Sequence, residues 1–210
     1  MLSRRQLLTF SLRSMIAMVA LSGTAFWFIR RRWNRSQRQA LLVDEIQRLG
    51  GIVGYAHEWD DIADRGTGLP IPGPTLLRQM LGDHFFLTPT LIMFDESNIS
   101  TDELPAINEL SSITHLDFSD CPNINDSIAD VIVQLPDIKV ISLYGTPISY
   151  TALRRFTCLR SLQTLHVPHT LLDSTSAADL TADFDNGIVS WNDDPHVTMS
   201  SIFATTENGG

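Results

Sequence analysis

PTLIMFDESNIS (residues 89–100), ITHLDFSDCPNIN (113–125), IKVISLYGTPIS (138–149) and LQTLHVPHTLLD (162–173) are four versions of one line. They begin at Pro89, Ile113, Ile138 and Leu162, so the steps are 24, 25 and 24 residues. A fixed period between 20 and 50 residues marks a supersecondary unit that buries its apolar face only by stacking on its neighbours. Each line opens with a short strand, in which alternate side chains share a face. The inward columns are Ile92, Leu116, Ile141 and Leu165, then Phe94, Phe118, Leu143 and Val167. Ile99, Ile124, Ile148 and Leu172 close the wall. Between them runs a column of small hydrogen-bonding side chains, Ser97, Cys121, Thr146 and Thr170, suited to satisfying turn backbone.

The second half of each repeat reads as helix. Leu104, Ile107 and Leu110 supply its apolar face in the first, Ala129, Ile132 and Leu135 in the second, and Leu153, Phe156 and Leu159 in the third. Ser100 and Glu103 have the spacing of a capping box. In the fourth repeat Ala177, Leu180 and Asp183 no longer make an apolar face. The pattern L-x-x-L-x-L-x-x-C/T-x-x-I, followed by Ser, Asn or Asp and a helix, resembles a leucine-rich repeat of the cysteine-containing or ribonuclease-inhibitor-like subtype. The whole layout is similar to bacterial membrane-anchored leucine-rich-repeat proteins, through Phe10 to Ser14, the arginine-rich exit and the helix ending Leu49-Gly50-Gly51. The resemblance implies an α/β solenoid of about 3.5 repeats, behind a single transmembrane helix, and a binding scaffold without a reaction.

Charge is unevenly spread. Residues 1–48 carry nine Arg against Asp44 and Glu45, a net +7, whereas residues 49–210 sum to −16. An acidic body is repelled by nucleic-acid phosphates, which argues against DNA or RNA as partner. Two cysteines, Cys121 and Cys158, make neither a disulfide framework nor a zinc spacing.

Leu7 to Ile29 holds one charge, Arg13, in 23 residues. That is long enough to cross a hydrocarbon core of about 30 Å. Arg13 sits where its stem reaches the headgroups, and Trp27 and Trp33 fall near the other interface. Arg30, Arg31 and Arg32 then act as a stop, so a single-pass anchor over residues 1–32 is expected, bound to membrane lipid. The arginine bias favours the body on the cytoplasmic side. Ser3 to Leu8, SRRQLL, resembles a twin-arginine export signal and points the other way.

Further along, residues 33–50 read as a helical neck closed by Gly50 and Gly51. Residues 51–88 supply a cap, from a strand at Ile52 to Ala56, a helix at Thr75 to Leu81 and the pair Phe85-Phe86. Repeats fill residues 89–180. Residues 181–210 read as a mostly disordered acidic tail, with Ile188 to Trp191 docking locally.

The outward strand positions are the expected partner surface: Met93, Asp95, His115, Asp117, Ser142, Tyr144 and His166, together with Leu91, Ser119, Val140, Thr164 and Pro168. The mixture of acid, imidazole and apolar groups suits an unidentified protein or peptide. His115 and His166 stand two strands apart, about 10 Å at 4.8 Å per strand, too far to share one metal ion. His57-Glu58-Trp59-Asp60-Asp61 is the rival cluster, an exported metal-dependent hydrolase in the making, but without the helical H-E-x-x-H geometry. No nucleophile elbow or phosphate-binding glycine loop is present, so neither catalysis nor a cofactor is expected. Self-assembly through the degenerate fourth repeat is a third possibility.

Overall fold

The computed structural model describes residues 12–60, 65–66, 69–94, 96–167, 174–184 and 188–191. In chain order its elements are α1 (Leu12–Arg48), β1 (Ile52–Tyr55), β2 (Trp59–Asp60), β3 (Arg65–Gly66), α2 (Thr75–Leu81), β4 (Pro89–Met93), β5 (His115–Asp117), α3 (Ile128–Ile132), β6 (Val140–Ser142), α4 (Tyr150–Arg154), β7 (Thr164–Val167), α5 (Ser174–Asp183) and β8 (Ile188–Trp191). The protein is α/β. Among the described residues, β1, β4, β5, β6, β7 and β8 form one sheet in that order, and β2 pairs with β3.

From β4 to β8 every pairing is parallel, and β1 lies antiparallel on β4. Leu91, His115, Val140, Thr164 and Ile188 stand side by side across the five parallel strands. The period of the sequence is therefore the register of the sheet, and it continues one strand past the fourth quoted line. The 24-residue step from Thr164 to Ile188 gives the local docking of Ile188 to Trp191 its form: a fifth parallel strand. The boundary drawn at residue 180 falls inside α5, whose Leu180 is fully buried.

Both inward columns are buried, with Ile92, Phe94, Leu116, Phe118, Ile141 and Leu143 at 0% exposure. They share one core with Ile107, Leu110, Ile132, Leu135 and Phe156 from the other halves of the repeats. The first of those halves is not the expected helix. It is two 3-10 turns, Thr101–Glu103 and Ile107–Glu109. Pro105 forces the preceding residue out of the helical region, and Leu104 is extended at φ −63, ψ 130. The capping residues still meet: the Glu103 carboxylate accepts from Ser100 N at 3.0 Å and Ser100 Oγ at 2.9 Å.

Successive repeats are fastened through the turn column. Thr146 Oγ1 donates to Phe118 O at 2.6 Å, and the Cys121 thiol donates to Phe94 O. Thr170 lies outside the described residues. A second column escaped the sequence reading: Glu96, Asp120 and Gly145 occupy the same place in three lines, and all have positive φ (51, 52 and 66). Here the chain leaves the strand in a left-handed turn, and the amides of Glu96 and Asp120 donate to Ser119 O and Tyr144 O of the next repeat. At 145 the residue is glycine, and a Cβ there would displace the Asp120 carboxylate.

From Leu12 on, the segment expected as anchor and the neck form one uninterrupted helix, α1. Its end packs into the core through Val43 and Ile46. Gly50 N donates to Gln47 O and Gly51 N to Ile46 O, a Schellman ending with Gly50 at φ 85. A Cβ on Gly51 would lie 2.6 Å from the Phe94 ring, so glycine lets the chain turn tightly over the first repeat. Among the described residues no helix is long and apolar enough to cross a membrane. Leu7 lies outside those residues, as does the side chain of Arg13; Trp27 and Ile29 are 60% and 49% exposed.

Candidate functional site

The strand pleat turns residues 91 and 93, 115 and 117, 140 and 142, and 164 and 166 to the face opposite the core. Two lateral rows result. Leu91, His115, Val140 and Thr164 make one, and Met93, Asp117, Ser142 and His166 make the other. The topology thus brings six of the seven expected partner residues to one face or its margin; Asp95 lies outside the described residues.

That face is not open to solvent in the way the alternation suggests. Met93, Asp117, Ser119 and Ser142 are all buried, Asp117 and Ser119 completely. His115, Val140, Tyr144, Thr164 and His166 are half-buried and reachable. Alternation predicts which side a residue faces, but not whether its neighbours and the rest of the chain cover it.

The buried carboxyl is held by a short polar chain. Asp117 Oδ1 accepts from Ser119 N at 2.8 Å and from Ser119 Oγ at 2.5 Å. Ser119 Oγ lies 2.8 Å from Ser142 Oγ on the adjacent strand. A hydroxyl has one proton, and that of Ser119 is directed at Asp117, so Ser142 is the donor of the second bond. Protons therefore run from Ser142 through Ser119 to Asp117. This chain of bonds holds the two hydroxyls in place on adjacent strands. Ser142 keeps its acceptor side, in register with His166.

The two histidines are separated. His115 is in the first row on β5, with its Nδ1 2.8 Å from Thr114 Oγ1, and His166 is in the second row on β7. Among the described residues no group of three or more His, Cys, Asp or Glu is placed to hold a metal ion. Burial depresses the pKa of His166 below its ordinary 6.5. As pH falls through that value the unfolded chain takes up a proton that the folded chain refuses, so stability drops until the folded-state pKa is reached. The His166 Hε1 resonance is expected to titrate with a midpoint below 6.5. A midpoint at or above it would mean the imidazole is not held in a dry environment.

The rival cluster has a structural task. Glu58 Oε2 accepts from Tyr55 N at 3.1 Å, and Glu58 N donates to Tyr55 O at 2.9 Å, closing the turn after β1. Burial, followed by the charges of Glu58 and Asp44, raises the Tyr55 phenol above its usual range. Asp61 and the side chain of Asp60 lie outside the described residues. Cys121 is buried and Cys158 exposed, and the two do not form a disulfide.

Ser119 and the left-handed column are the residues that the sequence reading undervalued. A signal existed for Ser119: Asp117-Phe118-Ser119 has the two-residue spacing that lets a carboxylate accept from its own strand's end. No known family and no curated protein matches the chain.

Proposed function

We propose that the protein is a membrane-tethered binding module, a short leucine-rich-repeat solenoid that holds a protein or peptide against its sheet face. The observation carrying this reading is the register: five parallel strands in sequential order, with partner residues spaced 24, 25, 24 and 24 apart. An array of that kind is quasi-one-dimensional, and its product is a ridged surface rather than a closed pocket. The reachable groups on it, His115, Val140, Tyr144, Thr164 and His166, mix ring edges with small apolar and hydroxyl groups. Such a surface suits an extended peptide or a loop. Asp117, Ser119, Ser142 and Met93 lie beneath and fix its shape.

The tether is the apolar segment Leu7 to Ile29, continued by the arginine-rich length of α1 into the cap. The body then stands directly on the membrane surface, on the cytoplasmic side if the arginine bias decides orientation.

Proximity labelling from the body in its native cell tests the reading. The wild-type chain should label a defined set of neighbours, and the double variant Val140→Arg and Thr164→Arg should lose them while staying in the membrane fraction. The same neighbours in both would remove the sheet face as the binding surface. Release of the wild-type chain by alkaline carbonate would remove the tether.

A further inference from the structure

Five arginines, Arg30, Arg31, Arg32, Arg35 and Arg38, fall within nine residues of α1. The body beyond is strongly acidic, yet among the described residues none of the five pairs with a carboxylate: the ion pairs are Arg78–Asp83, Arg154–Asp183 and Arg155–Asp130. Other groups hold three of them instead, and Arg31 lies 5.4 Å over the Trp27 ring. Arg32 lies 5.2 Å over the Phe85 ring, and Arg35 donates to Ser111 Oγ. Trp33 packs on Phe85 with ring centroids 6.4 Å apart, which fixes the Asp83–Phe85 turn at this level of the helix.

Between helix and turn lies a groove of ≈350 Å³ whose lining includes Phe28, Arg31, Arg32, Arg35, Ser36 and Phe85. Ser36 is 4% exposed, and its Oγ has no hydrogen-bond partner among the described residues. Among the described residues, a buried hydroxyl without a partner thus stands beside three guanidinium groups without a carboxylate, a site suited to an anion. We infer that this groove takes the phosphate group of an anionic phospholipid, with Arg31, Arg32, Arg35 and Ser36 as its donors.

Free phosphate has the same oxygens, but the surroundings favour a lipid. Phe28 is 61% exposed at the mouth of the groove. Leu76 and Met80 of α2 are 75% and 76% exposed, and α2 packs on the same Asp83–Phe85 turn without burying any of its own residues. A bilayer interface covers such side chains, whereas an aqueous anion leaves them wet. The basic junction also offsets the repulsion that an acidic body meets at an anionic surface. The inference rests on the membrane tether proposed above and adds a lipid preference to it.

The full chain, reconstituted in phosphatidylcholine vesicles, is probed by electron spin resonance with spin-labelled phosphatidylglycerol or spin-labelled phosphatidylcholine. The wild type should restrict phosphatidylglycerol at least about fivefold more strongly, the worth of one arginine at an anionic surface. In the triple variant Arg31→Gln, Arg32→Gln and Arg35→Gln the ratio should fall to about one, with Arg30 and Arg38 still flanking the anchor. An inserted chain with no preference, or with the same preference in the variant, overturns the headgroup site and leaves the tether standing. Loss of the preference to inorganic phosphate, but not to chloride of equal ionic strength, makes it a free-anion site and overturns the lipid assignment. A chain that alkaline washing strips from the vesicles overturns the tether and the headgroup site together.

Discussion

Phe118→Ala should cost about 3–5 kcal/mol of stability, a large part of the roughly 5–15 kcal/mol that holds a domain folded. Phe118 is fully buried, and its ring lies parallel to that of Phe94, with centroids 5.8 Å apart and planes at 4°. The pair is an aromatic packing contact between the first two repeats. Its backbone is equally committed: Phe118 N donates to Ser142 O at 2.9 Å, and its carbonyl accepts from Thr146 Oγ1 at 2.6 Å. The flanking strands are thus pinned by hydrogen bonds and cannot close over the space left by the ring, which places the cost at the cavity-forming end. Phe118→Leu retains most of the volume and should cost less than about 1.5 kcal/mol. Urea unfolding of the two variants checks both numbers. A loss below about 1 kcal/mol for the alanine variant would mean that the repeats do not depend on this stack.

The parts of the fold that could be read in advance are those fixed by repetition. A column such as Ile92, Leu116, Ile141 and Leu165 states its own burial, since one aliphatic residue at the same phase in every line has one physical use. The turn column was legible for the same reason, and Thr146 and Cys121 do bond the preceding repeat. Reading failed where a single residue overrode the repeat. Pro105 breaks the first helical half into two short turns. The fifth strand was missed because IVSW, at 188–191, follows a weak apolar face and shares no other part of the line, although its 24-residue step from Thr164 could be counted.

The candidate site was legible only as a side of the sheet. Its seven residues follow from alternation, and alternation cannot distinguish half-buried Tyr144 from fully buried Asp117. The left-handed column of Glu96, Asp120 and Gly145 was illegible for a different reason. The shared property is a backbone angle, and three unlike side chains realise it.

Asp117→Ala should cost about 2–4 kcal/mol, less than Phe118→Ala, because it removes an acceptor without removing the donors. Ser119 N and Ser119 Oγ both give their protons to Asp117 Oδ1, and both residues are at 0% exposure, so water does not replace the lost oxygen. Asp117→Asn retains a carbonyl oxygen whose two lone pairs serve both donors, loses only the charge, and should cost no more than about half as much. The chain of protons makes a sharper claim than either value alone. Ser142→Ala alone should cost about 1 kcal/mol, the net worth of one hydrogen bond. Once Asp117 is gone, Ser119 Oγ is free to turn its proton toward Ser142, so the contribution of Ser142 in that background must change. Asp117 and Ser142 are on adjacent strands in register and share Ser119 as their common partner. A double-mutant cycle over the two should therefore show a coupling of about 0.5 kcal/mol or more. Strict additivity would mean that the two hydroxyls and the carboxyl are neighbours without being a chain, and that Asp117 does not set the acceptor side that Ser142 presents beside His166.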